Sequence, residues 1–477
     1  MKRVGERAVV LGASMAGLVA ARVLAEAYDE VTVVERDELP STWANRRGVP
    51  QGRHVHAPLE SGSQGLERLF PGLVHDLVRG GAPKLNDLSL LYFSVGGHLL
   101  CQDPYPAGPV YQASRPYLEG KVRARVRALP NVSLVEGTDV TGLVADPESA
   151  RVVGARVRGR GTGGTEEILP ADLVVDTMGR AARTPAWLEQ LGYDRAPEER
   201  VNIDVKYASQ AVSIRPGALA ESLVLVGPVP GRAKGMALFA YESGTWLFTA
   251  MGYGDNHPPS DREGMLTFVA DCAPAHVMQA LRDSESLGEV STHRFPASQR
   301  RHYEKLSRFP EGLLVFGDSI CSFNPIYGQG MSVATLGALA LRACLERGDR
   351  RLAQRFFRAA AKHVDVAWHL AVGSDLTLPE VEGPRPRSVR MVNAYVDRVQ
   401  SAAVHDSDIA WQFLQVSSLV DPPSALFRPK VVRAVLADRR RRRVDPATAP
   451  ATRPVFVPRQ RSVSGAVAPD DQVAAGG

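Results

Sequence analysis

Cysteine is scarce in this chain of 477 residues, with four in all (Cys101, Cys272, Cys321 and Cys344) and no CxxC pair. That scatter gives no support to a disulfide framework, a thiolate metal site or a thioredoxin-like motif, and it predicts a reducing, cytoplasmic setting. Long apolar runs are also missing. No stretch reaches the ~18 apolar residues that a membrane-spanning helix needs, so no integral membrane association is expected. Met1-Lys2-Arg3 is basic, but residues 8–11 form too short an apolar stretch for a secretory signal. A strong charge excess is absent too. The net charge is +5, and five consecutive arginines at 439–443 supply much of it. The run reads as a solvated helix end, with binding to nucleic acid or an anionic lipid surface the alternative, and nothing else resembles a nucleic-acid footprint.

What is present is an ordinary globular mixture, 44% hydrophobic and 23% charged, enough for a substantial core. No internal repeat is visible. Residues 8–11 read as a short buried strand, 17–27 as an amphipathic helix and 31–35 as another strand, a βαβ unit that seeds a parallel sheet. A helix at 115–129 follows, then strands at 132–136, 142–145, 152–158 and 173–176. Between about 201 and 254 the pattern alternates as in antiparallel strands with one covered face. Residues 313–316 return as a parallel-type strand, with a helix from near Ser332 to Leu345. Residues 351–443 read as mostly helical, and from Asp445 onward apolar periodicity vanishes.

The chemistry begins at Gly12-Ala13-Ser14-Met15-Ala16-Gly17, between the first strand and first helix. Gly12 permits a tight turn, Gly17 lets helix and strand pack closely, and the helix amides meet pyrophosphate charge. Ser14 stands where the usual pattern has its middle glycine. Glu35, at the end of the second strand and about twenty positions on, suits ribose hydroxyls. Together these predict a dinucleotide site.

Two later segments favour FAD over a nicotinamide dinucleotide. Asp172-Leu173-Val174-Val175-Asp176-Thr177-Met178-Gly179-Arg180 is a buried strand ending in a turn. Gly312-Leu313-Leu314-Val315-Phe316-Gly317-Asp318 is another, followed by Asn324-Pro325-Ile326-Tyr327-Gly328-Gln329-Gly330-Met331-Ser332. Asp318 can accept from ribityl hydroxyls, which a nicotinamide dinucleotide lacks. Gly328 and Gly330 let backbone lie against a flat ring, and a helix N-terminus there suits an anionic reduced flavin.

On these residues the chain resembles the flavoprotein monooxygenases of the p-hydroxybenzoate hydroxylase type. Among them it is most similar to the actinobacterial epoxidases and hydroxylases of secondary metabolism, such as the polyene epoxidases of polyether pathways. The likeness spans roughly residues 7 to 375. It includes Arg46-Arg47-Gly48-Val49-Pro50-Gln51-Gly52-Arg53-His54-Val55-His56, Ser114-Arg115-Pro116-Tyr117-Leu118, residues 365–368 and Asp375. Departures are Ser14, Met178 in place of a second small residue, and Gln329 where some epoxidases have histidine.

The resemblance implies an α/β fold: a three-segment FAD-binding Rossmann-like domain, an inserted antiparallel-sheet substrate domain and a helical C-terminal region. The expected boundaries are 1–199 and 296–346 for FAD binding, 200–295 for the substrate domain, 347–444 for the helical region and 445–477 for a disordered tail. The expected cofactor set is Gly12, Ala13, Ser14, Ala16, Gly17, Glu35, Arg36, Arg115, Val140, Asp176, Gly179, Gly317, Asp318, Pro325, Gly328, Gly330 and Met331. The implied reaction inserts one oxygen atom of O2, through a flavin C4a-hydroperoxide, into an alkene or aromatic ring. No catalytic side chain is singled out, because the cofactor carries the chemistry.

Val205, Tyr207, Phe239, Tyr241, Trp246 and Phe248 are expected to line a pocket for a small apolar organic substrate, or else to form the sheet's core. His54 and His56 read as contacts near the flavin, since no further metal ligand lies at usable spacing. Arg300-Arg301-His302 reads as a solvated loop, with contact to a nicotinamide phosphate the alternative. No second glycine-rich motif is visible, so NAD(P)H donates electrons at the flavin face or through a separate flavin reductase. The competing reading is a flavin-dependent reductase of isoprenoid double bonds. A flavin-dependent halogenase is disfavoured because that class's WxWxIP stretch is absent, and a non-enzymatic flavin-binding role is disfavoured as well.

Overall fold

A computed structural model describes residues 2–149, 151–161 and 164–444. The expected disordered tail at 445–477 lies outside the described residues. The fold is the expected mixed α/β class: a parallel sheet with covering helices, antiparallel sheets and a helical C-terminal region.

Five short strands form the parallel sheet in the order Leu313–Val315, Leu173–Asp176, Gly5–Leu11, Tyr28–Val34 and Val132–Val135. The valine and leucine runs of the first four are buried, as a sheet covered on both faces requires, while the edge strand Val132–Val135 is half-buried. Leu11 pairs with Asp176, which pairs with Val315. The loops after these three strands therefore leave the same edge of the sheet, although they come from distant parts of the chain. In an open α/β sheet this carboxyl edge is where ligands bind.

Helix Met15–Leu24 packs against helices Arg115–Arg127 and Gln329–Leu345. The last of these starts at Gln329, three residues before the expected position. Gly328 takes a left-handed conformation, φ +64, which turns the chain directly into the helix.

A second sheet runs Cys321–Ser322, Ser291–Arg301, Glu198–Ser213, Thr245–Tyr253, Lys234–Ala240, Leu223–Val226, Leu91–Val95, His98–Leu99, with Glu285–Ser286 alongside. Leu91–Val95 joins it in parallel from the first 199 residues, a pairing that local periodicity cannot reveal. Alternation splits this sheet into two faces. Val212, Met236, Leu238, Phe248 and Ala250 pack on helices Arg262–Val269 and Ala275–Arg282. Tyr207, Leu225, Phe239 and Met251 face the parallel-sheet domain. Helices Leu352–Asp375, Arg387–Ala403, Ser407–Ser417 and Pro429–Val444 complete the chain. The last runs through the arginine stretch, and Arg439 and Arg440 are exposed. No helix among the described residues is long and apolar enough to cross a membrane.

Candidate cofactor and substrate site

A cavity of about 1450 Å³ runs from the carboxyl edge of the parallel sheet to the inner face of the second sheet. It exceeds the ~300–1,000 Å³ of a single small-ligand pocket, leaving room for a cofactor and a substrate together.

Its first end is the glycine turn. Gly12 has φ +108, and a Cβ on Gly17 would be driven into the Gly12 carbonyl oxygen. Here the glycine requirement is steric. Arg115 donates from Nη2 to Ser14 Oγ at 3.0 Å and from Nε to Glu119 at 3.1 Å, so the serine in the middle position holds an arginine at the turn. Glu35 lines the cavity, but its Oε2 already accepts from Ala13 N–H at 2.8 Å and lies 3.1 Å from Arg46 Nη1. Burial opposes Arg46's charge, yet Glu119 and Glu35 outweigh it and hold its pKa above the ordinary arginine value.

Gly12, Ser14, Ala16, Glu35, Arg36, Arg115, Val140, Gly179, Asp318, Pro325, Gly328, Gly330 and Met331 all line this one cavity. Ala13, Gly17, Asp176 and Gly317 do not; they shape its walls. Asp176 is wholly buried, bonded to Thr184, the Met178 N–H and Ser319. Burial raises its pKa against those bonds. A Cβ on Gly317, φ +65, would come within 2.7 Å of Ala16 Cβ. Asp318 is exposed, but to the cavity, and its carboxylate has no hydrogen-bond partner among the described residues. Burial among protein atoms raises its pKa, opposed by Arg115 and Arg180. A free acceptor, an arginine-held glycine turn and a helix start facing one cavity fit FAD: hydroxyls for Asp318, phosphates for the turn, a ring against Gly328 and Gly330.

At the other end, Tyr207 and Phe239 line the cavity as expected, with Leu225 and Met251 beside them. Trp246 and Phe248 do not. They have the opposite parity on their strand and pack on the outer face, so their expected pocket role is corrected. Val205 has the parity of Tyr207 but is buried in the core beneath the cavity wall. Tyr241 also belongs to that core, and its hydroxyl accepts from His56 N–H at 2.7 Å.

Four histidines line the cavity: His369, from helix Leu352–Asp375, and the trio His54, His56 and His293. His54 Nδ1 lies 2.8 Å from Ser209 Oγ, which is 2.6 Å from Thr249 Oγ1. Burial, with His293, lowers His54 to about 3; burial, with Arg115, lowers His56 to about 4. His293 is also lowered by burial and Arg180. All three rings are therefore neutral at pH 7. His293 escaped sequence reasoning. It pairs with Tyr207 across the sheet, and the alternation of Ser291–Arg301 puts it on the same face as Phe295.

The Arg300-Arg301-His302 reading is overturned. Arg300 and Arg301 end a strand, His302 follows it, and all three are buried. Arg300 pairs with Glu304 and Asp365, while Arg301 pairs with Glu198 and donates to Ser319 O at 3.0 Å. They brace the junction between the sheets.

No family model matches the sequence. The chain is 40% identical over 436 residues to Protein Rv3254 of Mycobacterium tuberculosis, covering 87% of this chain and 90% of that protein. It is 26% identical over 427 residues to kynurenine 3-monooxygenase of Salinispora arenicola, covering 84% and 85%. Among solved structures, p-nitrophenol 4-monooxygenase PnpA from Pseudomonas putida DLL-E4 superposes with TM-score 0.61 at 17% identity, over 88% of this chain and 100% of that one. The flavin-dependent brominase Bmp2 does so with TM-score 0.61 at 13% identity, over 92% and 100%. At these identities the structural likeness speaks for the fold alone.

Proposed function

This chain belongs to the family of Mycobacterium tuberculosis Protein Rv3254, and from its site we propose an FAD-dependent monooxygenase acting on an apolar alkene or aromatic substrate. The observation that carries the reading is the continuity of one cavity from Gly12 and Asp318 to Phe239 and Met251. When bound, FAD would carry two electrons from NAD(P)H and activate O2, one oxygen atom going to the substrate as epoxide or hydroxyl and the other leaving as water.

The chain's own residues bind, orient and dry the site. The turn at Gly12, with Arg115 and Arg36, would hold the phosphates, Asp318 would accept from the ribityl hydroxyls, and Gly328 and Gly330 would bring backbone amides to the ring. Leu225, Phe239 and Met251 hold apolar carbon there and keep water out. Neutral His54, His56 and His293 offer hydrogen bonds without adding charge. NAD(P)H supplies electrons, at the flavin face or through a partner reductase.

The test is anaerobic reduction of the FAD-loaded protein by NADPH, followed by O2 with candidate alkenes and phenols. Monooxygenation gives O2-dependent product heavier by one oxygen atom, labelled from 18O2. A product saturated under anaerobic conditions would instead establish the alternative, a reductase of isoprenoid double bonds. A protein that retains no FAD ends both.

A further inference from the structure

Asp375 is the last residue of helix Leu352–Asp375 and is 0% exposed. Its Oδ1 accepts from Tyr327 OH at 2.8 Å, Asn324 Nδ2 at 2.8 Å and Tyr253 OH at 3.1 Å. Its Oδ2 has no hydrogen-bond partner among the described residues, and the groups acting on the carboxyl there are the uncharged Tyr327, Asn324 and Tyr253. A carboxylate buried at a helix C-terminus without a cation is unfavourable twice over, through desolvation and through the helix dipole. An apolar side chain of similar size would be cheaper at this position, so the bonds the carboxylate makes are the informative feature.

Those bonds converge on one turn. Asn324 and Tyr327 bracket Pro325–Tyr327, and Gly328 then passes the chain into helix Gln329–Leu345. Asn324 Oδ1 accepts from Tyr207 OH at 2.9 Å and from Ile326 N–H at 3.2 Å, and Asn324 Nδ2 also donates to Tyr253 OH at 2.7 Å. The carboxylate thus ties the turn to strand Thr245–Tyr253 and to helix Leu352–Asp375, and Asn324 extends the network to strand Glu198–Ser213. The turn lines the cavity beside Asp318, whose Oδ1 lies 3.7 Å from where a Cβ on Gly330 would stand, whereas Asp375 itself does not line it.

We propose that Asp375 is a positioning residue: by gripping Asn324 and Tyr327 it sets the pose of the turn and following amides at residues 325–330, and so sets the relative affinity of the site for reduced and oxidised flavin. The proposal rests on the FAD reading. Burial raises the Asp375 carboxyl to about 6, with its three hydrogen bonds pulling the other way, so it is ionised at pH 8. Buried phenols at Tyr207, Tyr253 and Tyr327 have pKa values pushed far up and stay neutral there.

The experiment measures the reduction potential and visible flavin spectrum of the full chain loaded with FAD at pH 8, for wild type, D375N and Y327F. D375N keeps an acceptor oxygen but removes the charge. It should keep FAD and raise the affinity for reduced over oxidised flavin about tenfold, which is ~30 mV for a two-electron couple. Y327F leaves the charge and frees one tether. It should displace the flavin absorption bands with a smaller change in potential, and it decides the matter if D375N does not fold. Loaded variants with wild-type potentials and spectra overturn the proposal while the FAD reading stands. A wild-type chain that takes up no FAD overturns the FAD reading itself, and this proposal with it.

Discussion

Arg46 Nη1 stands 3.1 Å from Glu35 Oε2 in the cavity wall, and both side chains are almost wholly buried. The same guanidinium serves Asp37 and Glu119, each at 3.0 Å, and donates to the Ala13 carbonyl at 3.2 Å. One cation is therefore shared among three carboxylates next to the glycine turn. R46A leaves buried negative charge uncompensated, a loss of about 3–5 kcal/mol when one partner of a buried pair is removed. Chemical denaturation should show that loss, with weakened FAD retention. R46K should recover only part of it, since an ammonium cannot reproduce the planar fork.

G17A tests the turn by a steric route. The added methyl must displace the Gly12 carbonyl, which is backbone and cannot rotate away. Overpacking of this kind costs about 1–3 kcal/mol. The helix start should shift with it, and flavin absorbance should be lost after gel filtration. S14A removes only an acceptor for Arg115, so it should weaken FAD binding without comparable loss of stability.

Acid should destabilise the chain through His54. Its folded pKa of about 3 lies below the unfolded 6.5, so below pH 6.5 the unfolded chain takes up a proton that the folded chain refuses. Stability from this group is intact above 6.5 and falls by up to about 1.4 kcal/mol per pH unit below it. Asp375 works in the opposite sense: with its carboxyl raised to about 6, its contribution is present in acid and lost as pH rises through 6. Denaturation curves of wild type and H54N at pH 7, 6 and 5 separate the two. The difference between the proteins should shrink as pH falls, and a difference independent of pH would refute the assignment.

Phe239 and Phe248 lie on opposite faces of one sheet and should part company on truncation. F248A opens a hole under helix Arg262–Val269 and should cost about 3–5 kcal/mol. Ligand-induced changes in the flavin spectrum should survive it at temperatures where it remains folded. F239A enlarges the cavity and should alter apparent affinities for apolar ligands more than it alters the melting temperature.

Much of the fold and of the cofactor end was legible because local sequence encodes it. A glycine that must be glycine, an acid at a strand end and buried strands of four or five residues each leave a trace within a few positions. The sides of the substrate end were not legible. Trp246 and Phe248 look as suitable for a pocket as Phe239, and only cross-strand register with helices on the far face assigns them outward. The same holds for Arg300 and Arg301, whose charges suggest solvent but which pair with Glu198, Glu304 and Asp365.

By itself the sequence determined that three distant stretches would each form a buried strand followed by a glycine-bearing loop, because steric and hydrophobic constraints act over a few residues. Only the tertiary structure decided that Leu11, Asp176 and Val315 stand side by side, that His293 joins His54, and that Asp375 grips Asn324 and Tyr327. Those pairings depend on sheet register and helix docking between residues up to hundreds of positions apart, and no local pattern carries that information.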